Sequence, residues 1–314
     1  MSITPGAPTF DRLAPYPELA AVRDAAVVGD WAGVAAAYGK LESWDLRTAA
    51  VSVVGETADA ERFLVPAAEP EDAVLARTAL AARYIEVGWE VRTSARASEV
   101  SREQFAVFHE HLRRAERLLI DVTARDPGNL AAWTQRLVTV RGLELGQSEA
   151  RRRWRQIARH DPHHFVGQVQ LLQQLCPKWG GKLEQMHEFA RDCAAAAPPG
   201  ALSPVLVVQA HLEHWVTLDG REGLAYLRSA AVRDSVDQAA ARSVLNPAFR
   251  RPYGWVMAHS YFALYHSIVG DHRSAAVHFR AIAPFEVVQP WLYYYADGEQ
   301  MFRRHRAAAL GKDH

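Results

Sequence analysis

Small and apolar residues recur along this chain with the period of an α-helix. In three segments they stand at relative positions 0, +4 and +7, which form one stripe of a helix, and a proline follows at +12. The segments are Ala115, Leu119 and Val122 before Pro127; Ala150, Trp154 and Ile157 before Pro162; and Met186, Ala190 and Cys193 before Pro198. Because a proline ends a helix and an apolar stripe needs a partner, each segment predicts the second helix of a helical hairpin.

The three prolines recur at intervals of 35 and 36 residues, which indicates a structural repeat. Two further stripes begin five residues after a glycine, which permits the tight turn between antiparallel helices. They are Val34, Tyr38 and Leu41 after Gly29, and Ala275, Phe279 and Ile282 after Gly270. Trp133 is expected to pack inside its hairpin. The repeat is therefore predicted to run through the whole chain.

Helix-start signals agree with this pattern. Ser101 with Gln104 has the spacing of a capping box, and Asp30 and Asp271 can each cap the helix that follows. The strongest strand candidate is PVLVVQAHLEHWV at 204–216, but its apolar residues keep helical spacing and predict a buried helix. We expect about a dozen helices or slightly more, and no sheet.

This order of features resembles the tetratricopeptide repeat, in which an early Trp-type position and a mid-repeat glycine precede small and aromatic residues and a closing proline. The match is good for 101–198, fair at the two ends, and weak for 45–100 and 200–255. The resemblance implies an all-α solenoid of antiparallel helical hairpins, a degenerate right-handed superhelix. We predict one domain over 1–314, with N-terminal hairpins at about 20–100, the best-matching repeats at 101–200, and aromatic- and histidine-rich hairpins with a capping helix at 201–314.

Four segments carry a closer resemblance: VGWEVRTSARASEVSREQFAVFHEHLRRAERLL, DPGNLAAW, LCPKWGGKLEQMHEFAR and APPG. Their order and spacing over about residues 80–200 are similar to the uncharacterised actinobacterial proteins grouped as the DUF4034 family. That resemblance implies the helical fold and brings no catalytic residue with it.

Charge and cysteine content narrow the function classes. The chain of 314 residues carries 36 basic and 36 acidic side chains, so its formal net charge is zero and nothing steers it globally to nucleic acid or acidic membrane. The two cysteines suggest a reducing compartment. The N-terminus lacks the pattern of a secretory signal, and no uncharged apolar run is long enough to span a membrane. These features predict a soluble cytoplasmic protein.

The loop Pro-Lys-Trp-Gly-Gly at 177–181 has two interpretations. In the first, Trp179 packs in the groove between hairpins while Gly180 and Gly181 make a turn about two residues longer than the repeat needs. In the second, Lys178 and Trp179 form a recognition tip. A tryptophan is costly to leave in water, which favours the first.

Motifs for chemistry are sparse. The sequence has no nucleophile elbow, P-loop, dinucleotide fingerprint or H-E-x-x-H. Glu184 and His187 have the i,i+3 spacing of metal-binding helical bundles, and His211 and His214 share a helix face near Glu213. The alternative is that these histidines cap helices or satisfy buried carbonyls. We predict no metal and no cofactor.

A basic stripe and an aromatic region raise two more possibilities. Arg151, Arg155 and Arg159 share one helix face, which would suit RNA or a solvated outer surface, and the zero net charge argues against nucleic acid. Aromatic residues concentrate in the last hundred positions. Residues 293–295 are all tyrosine and cannot all face inward on one helix.

Two functions follow from these patterns. The first is a binding module that holds a protein or peptide in the concave groove of the solenoid, for which repeat counting selects Arg141, Gln173, Gln209 and Glu213. The alternative is a small-molecule-binding protein or an enzyme with an aromatic and histidine pocket. Its candidate residues are His211, His214, Trp255, His259, Trp291 and Tyr294.

Overall fold

The helical period of the sequence is present in the computed structural model, which describes residues 11–93 and 99–311. The structure is 72% helical with 17 α-helices, and its described residues contain no β-strand, so the predicted all-α class is confirmed. The expectation about a secretory signal and part of the segments that resemble the DUF4034 family lie outside the described residues.

The helices follow one another with short connections. They are α1 (Pro17–Val27), α2 (Trp31–Gly39), α3 (Trp44–Gly55), α4 (Glu61–Ala67), α5 (Val74–Arg92), α6 (Arg102–Arg125), α7 (Leu130–Gly142), α8 (Gln147–His160), α9 (Phe165–Leu175), α10 (Leu183–Ala196), α11 (Val205–Trp215), α12 (Gly220–Arg228), α13 (Ala230–Arg242), α14 (Trp255–Val269), α15 (His272–Ile282), α16 (Trp291–Tyr294) and α17 (Gly298–Leu310). The segment 204–216 forms α11, as its helical spacing predicted.

The predicted helix starts are confirmed in detail. The Ser101 hydroxyl accepts a hydrogen bond from the Gln104 backbone N–H at 3.1 Å, and the Gln104 side chain accepts one from the Ser101 N–H at 3.0 Å. The carboxylate of Asp30 caps α2 and that of Asp271 caps α15. These short-range contacts satisfy N–H groups that the first turn of a helix leaves unpaired.

The described residues form two compact units. The N-terminal unit is Pro17–Gly181, which contains α1–α9 and a short 3-10 helix at Pro177–Trp179. The C-terminal unit comprises residues 11–16 and 182–311 and contains α10–α17. No helix among the described residues combines the length and hydrophobicity needed to cross a bilayer.

In the N-terminal unit the odd-numbered helices pack on one another in the order α1, α3, α5, α7 and α9. Of the even-numbered helices, α6 and α8 pack on both of their sequence neighbours, whereas α2 packs on α1 and α4 packs on α5. The stripe Ala115, Leu119 and Val122 of α6 is fully buried in a core with residues of α5 and α7. Trp133 is buried as predicted, and its Nε1 donates a hydrogen bond to the Pro127 carbonyl at 3.0 Å.

A charged network crosses the core of this unit. The Glu116 carboxylate accepts hydrogen bonds from Arg136 at 2.8 Å and from Arg153 at 2.9 Å, and all three side chains are buried. Arg153 also donates to Glu149 at 2.7 Å. Arg153 belongs to the basic segment 151–160, so one arginine of that segment points into the core instead of the solvent.

In the C-terminal unit α10 packs on α11, α11 on α13 and α14, and α14 on α15, while α17 covers α15 and α16. The stripes Met186, Ala190, Cys193 and Ala275, Phe279, Ile282 are buried, as expected. Tyr293 is 48% exposed, so the expectation that the three tyrosines at 293–295 do not all face inward is confirmed.

Candidate functional site

A cleft of about 640 Å³ opens on the N-terminal unit where α5, α6, α7 and the turn after α9 meet. Its walls are formed by Arg92, Phe105, Phe108, Arg141, Gly142, Glu144, Gly146, Gln174, Lys178, Trp179 and Gly180. The cleft wall therefore contains Arg141, which was predicted for the concave face, together with Lys178 and Trp179, which were predicted for the loop tip.

Arg141 lies in the last turn of α7. Its Nη2 donates a hydrogen bond to Gln170 Oε1 at 3.0 Å, whereas Nη1 is buried and has no hydrogen-bond partner among the described residues. Burial lowers the pKa of Arg141 to about 10, so the group is still a cation at neutral pH. Leaving a charged donor buried without an acceptor costs about 1–3 kcal/mol or more. Arg141 also contributes to the wall of the cleft.

Trp179 is half-buried and belongs both to the packing and to the cleft. Its ring stands edge-on to Trp89 with centroids 6.1 Å apart, and the guanidinium carbon of Arg141 lies 5.6 Å from its centroid. Its carbonyl oxygen accepts hydrogen bonds from the side-chain amides of Gln147 at 3.2 Å and Gln174 at 3.1 Å. The ring is thus held in place as one wall of the cleft.

The two glycines that follow make the turn, as expected. Gly180 has a φ of +76°, which favours glycine, and a Cβ on Gly181 would overlap the carbonyl oxygen of Leu175. Lys178 is exposed beside them. The loop is therefore a turn, and the ring of Trp179 both packs beside Trp89 and forms part of the cleft wall.

The charge lining the cleft is unbalanced. Arg92, Arg141 and Lys178 face a single carboxylate, Glu144, in a chain whose net charge is zero. Aromatic rings form much of the remaining wall. Such a lining suits an anionic group attached to an apolar or aromatic body.

The other residues predicted for a concave face lie elsewhere. Gln173 is half-buried on α9, next to a cleft residue. Gln209 and Glu213 lie on α11 in the C-terminal unit and are 3% and 4% exposed. The Tyr293 hydroxyl donates a hydrogen bond to Glu213 at 3.2 Å. The structure buries these last two side chains instead of presenting them to solvent.

In the C-terminal unit, His211 and His214 belong to a polar cluster on α10–α13. His214 Nδ1 lies 3.1 Å from Nε2 of His187. The hydroxyl of Tyr226 lies 2.6 Å from His211 Nδ1 and 3.4 Å from His187 Nε2. The other nitrogen of His211 lies 2.9 Å from the hydroxyl of Ser235. Five side chains thus form one hydrogen-bonded chain.

Burial makes this cluster electrically neutral. It lowers the pKa of His187 to about 4 and that of His211 to about 3, and it also lowers the pKa of His214. Burial raises the pKa of Tyr226. At neutral pH the imidazoles are therefore uncharged, and His211 is too weak a base for efficient proton abstraction.

His259 and Trp255 belong to a second, more deeply buried group. His259 Nδ1 and His278 Nδ1 lie 3.0 Å apart, and the His278 ring stacks on that of His266 with centroids 5.7 Å apart. Trp255 stands edge-on to His259. All three histidines are at most 4% exposed, and burial lowers the pKa of each of them.

The last two residues predicted for the pocket occupy further positions. Trp291 is fully buried between Phe279 and Phe302, in the core that α15 and α17 share. Tyr294 packs against Trp215 with ring centroids 5.9 Å apart. The six predicted pocket residues are thus divided among separate clusters of the C-terminal unit.

Sequence reasoning did not find several contributors to these sites. Arg92 and Phe105 of the cleft and Tyr226, Ser235 and His278 of the clusters belong to no recognisable motif. Only the Glu-x-x-His spacing pointed to His187. Among the described His, Cys, Asp and Glu residues, no three side chains are placed to hold a metal ion.

No protein-family model, no curated protein and no solved structure matches the chain.

Proposed function

We propose that this protein is a TPR-like helical-repeat protein, a solenoid of helical hairpins that binds a protein or peptide partner in its groove. The layer of odd-numbered helices in the N-terminal unit supports the hairpin arrangement, because each hairpin then contributes one helix to that layer. The 35- and 36-residue spacing of the prolines supports it as well.

The proposed binding site is the cleft beside Arg141 and Trp179. The observation that carries it is the buried Nη1 of Arg141, a charged donor without a hydrogen-bond acceptor in the described part of the chain. A partner carboxylate would supply that acceptor. The half-buried ring of Trp179 would pack against the side chain next to that carboxylate.

The preferred partner is therefore a segment in which Asp or Glu stands beside an aromatic or bulky aliphatic residue. Lys178 and Arg92 at the rim would add attraction that salt screens. Affinity would fall as ionic strength rises, while the apolar contribution would persist.

Selection of a random peptide library against the full chain tests this function. Enriched peptides are expected to carry the acidic–apolar pair and to bind at least about tenfold more weakly to Arg141→Gln and to Trp179→Ala, since a hydrogen bond to a charged group contributes about 1.5–3 kcal/mol. Arg117→Gln removes the same charge from a side chain of α6 that is 66% exposed, and it should not change binding. Peptides that bind the two cleft variants and the parent equally would refute the site.

The alternative function, a small-molecule-binding protein or enzyme, rests on the chain of contacts from Ser235 through His211 to Tyr226. Because the pKa of His211 is lowered to about 3, this arrangement favours binding over general-base catalysis. An enzyme with Ser235 as nucleophile requires that a fluorophosphonate label Ser235 and that His211→Gln abolish the labelling.

A further inference from the structure

The wall of the cleft in the N-terminal unit contains a second buried polar atom without a hydrogen-bond partner. Oε1 of Gln174 accepts no hydrogen bond within the described part of the chain, and the residue is only 4% exposed. Nη1 of Arg141 is the corresponding unpaired donor on the same wall. A buried acceptor without a donor costs free energy, just as a buried donor without an acceptor does. The cleft therefore offers one donor and one acceptor to a ligand.

The side-chain amide of Gln174 has a fixed orientation. Its Nε2 donates a hydrogen bond to the Trp179 carbonyl at 3.1 Å. Because a carbonyl oxygen can only accept, this contact assigns the nitrogen to the side of Trp179 and leaves Oε1 on the other side of the amide. The same carbonyl accepts a hydrogen bond from Gln147 Nε2 at 3.2 Å. Gln174 Oε1 is thus held as an acceptor before a ligand binds.

Gln174 and Arg141 are close enough to contact a single residue of a ligand. Nη2 of Arg141 donates a hydrogen bond to Gln170 Oε1 at 3.0 Å. Gln170 lies one turn before Gln174 on α9, and side chains four residues apart on a helix are neighbours, with about 5–6 Å between their Cβ atoms. The short side chain of an aspartate keeps its carboxylate within a few ångströms of nearby backbone N–H groups. One acidic residue can therefore supply both a carboxylate and an N–H to this wall.

We propose that Gln174 is the second recognition group of this cleft, and that its Oε1 accepts a hydrogen bond from the backbone N–H of the acidic residue whose carboxylate Arg141 binds. This role rests on the proposed function and adds a constraint on the partner. In the interior of a helix every backbone N–H is paired within the helix, whereas an extended segment leaves it available. The partner therefore binds as an extended acidic peptide and not through the interior of a helix.

Calorimetric titration of the full chain with two synthetic peptides tests the role of Gln174. One peptide is acetyl-Gly-Asp-Phe-Gly-amide. The other replaces the amide bond before its Asp with an ester, which removes that N–H without adding bulk. We expect the ester to bind the parent chain at least about threefold more weakly, because one hydrogen bond is lost and Gln174 Oε1 stays unpaired. Equal affinity of the two peptides for the parent chain would overturn the proposal, and this comparison does not depend on the folding of a variant.

Two variants assign the difference between the peptides to Gln174. Gln174→Met lacks the amide oxygen, so it should bind the two peptides with the same affinity within about twofold. Gln147→Met is the matched control, because it removes the other hydrogen bond to the Trp179 carbonyl and should keep the preference for the amide peptide. A preference that persists unchanged in Gln174→Met would overturn the proposal.

Failure of the proposed function gives a different result. If neither peptide binds the parent chain, or if Arg141→Gln binds the amide peptide as tightly as the parent does, the cleft is not a site for acidic peptides. If Arg141→Gln weakens the binding of both peptides while the parent binds them equally, the proposed site stands and only the role of Gln174 is refuted.

Discussion

The guanidinium carbon of Arg141 lies 5.6 Å from the centroid of the Trp179 ring, which connects the last turn of α7 to the turn after α9. The two residues are far apart in the sequence. Arg141 was predicted for the concave face and Trp179 for the loop tip. Their contact places a partly buried cation and an aromatic ring on the wall of one cleft.

Trp179→Ala should lower the free energy of unfolding by about 1–3 kcal/mol. A fully buried aromatic residue would cost about 3–5 kcal/mol, but Trp179 is only half-buried and keeps its contacts with Trp89 and Arg141 on one side. Lys178 is exposed, so Lys178→Ala should change the free energy of unfolding by at most about 0.5 kcal/mol. Urea denaturation of both variants beside the parent measures the difference, and an unchanged midpoint for Trp179→Ala would show that its ring contributes nothing to packing.

Glu116→Ala should be among the most damaging substitutions in the N-terminal unit. It leaves the buried guanidinium groups of Arg136 and Arg153 without their shared carboxylate, for which we expect a loss of about 3–5 kcal/mol. Glu110→Ala, on the same helix, breaks an exposed pair with Arg114 and should cost less than about 1 kcal/mol. Thermal and urea unfolding of the two variants measure the difference. Similar losses in the free energy of unfolding would contradict the role of Glu116 as the shared partner of Arg136 and Arg153.

Two glycines at helix ends should respond oppositely to alanine. A Cβ on Gly55 would lie 2.9 Å from the Ala82 carbonyl carbon, so Gly55→Ala should push α3 away from α5 and cost about 1–3 kcal/mol. A Cβ on Gly39 has nothing within 4 Å, and Gly39→Ala should be neutral or stabilising by up to about 1 kcal/mol. The denaturation midpoints of the two variants measure the difference. If Gly39→Ala were destabilised while Gly55→Ala was tolerated, the close approach of Gly55 to Ala82 would be refuted.

Acid should destabilise the C-terminal unit through its buried histidines. Burial, together with the nearby charge of Arg251, lowers the pKa of His259 to about 4. Burial also lowers the pKa of His266, against the opposing charge of Asp271, and that of His278. In the unfolded chain these groups titrate near about 6.5. The unfolded state therefore binds more protons below that pH, so stability is full above about pH 6.5 and falls as the pH drops toward 4.

His259→Gln tests this dependence. The parent should lose about 2 kcal/mol at pH 5 through His259 alone, and the variant should lack that part of the acid loss. Melting temperatures measured from pH 8 to pH 4 give the slopes, with the exposed His160→Gln as a control that should follow the parent. Identical slopes for the parent and His259→Gln would show that His259 does not stay neutral in the folded chain.

Local features of the chain were predictable because they depend on neighbours a few residues away. The stripe of Ala115, Leu119 and Val122, the capping box at Ser101 and the turn at Gly180 each follow from spacing within one or two helical turns. The same reasoning read 204–216 correctly as a helix. The functional site was harder to predict from the sequence. The predicted pocket residues are all aromatic or histidine, but they lie in separate clusters of the C-terminal unit.

The sequence by itself determined the all-α class, the helix starts and the core-facing stripes, since backbone hydrogen bonds and side-chain period are local properties. Only the tertiary structure decided which polar groups meet. Arg153 reaches Glu116 across 37 residues, and His187 reaches His214 across 27. A charge or an imidazole gains a partner only when helices pack in one particular register, and that register is set by the summed packing of many apolar side chains.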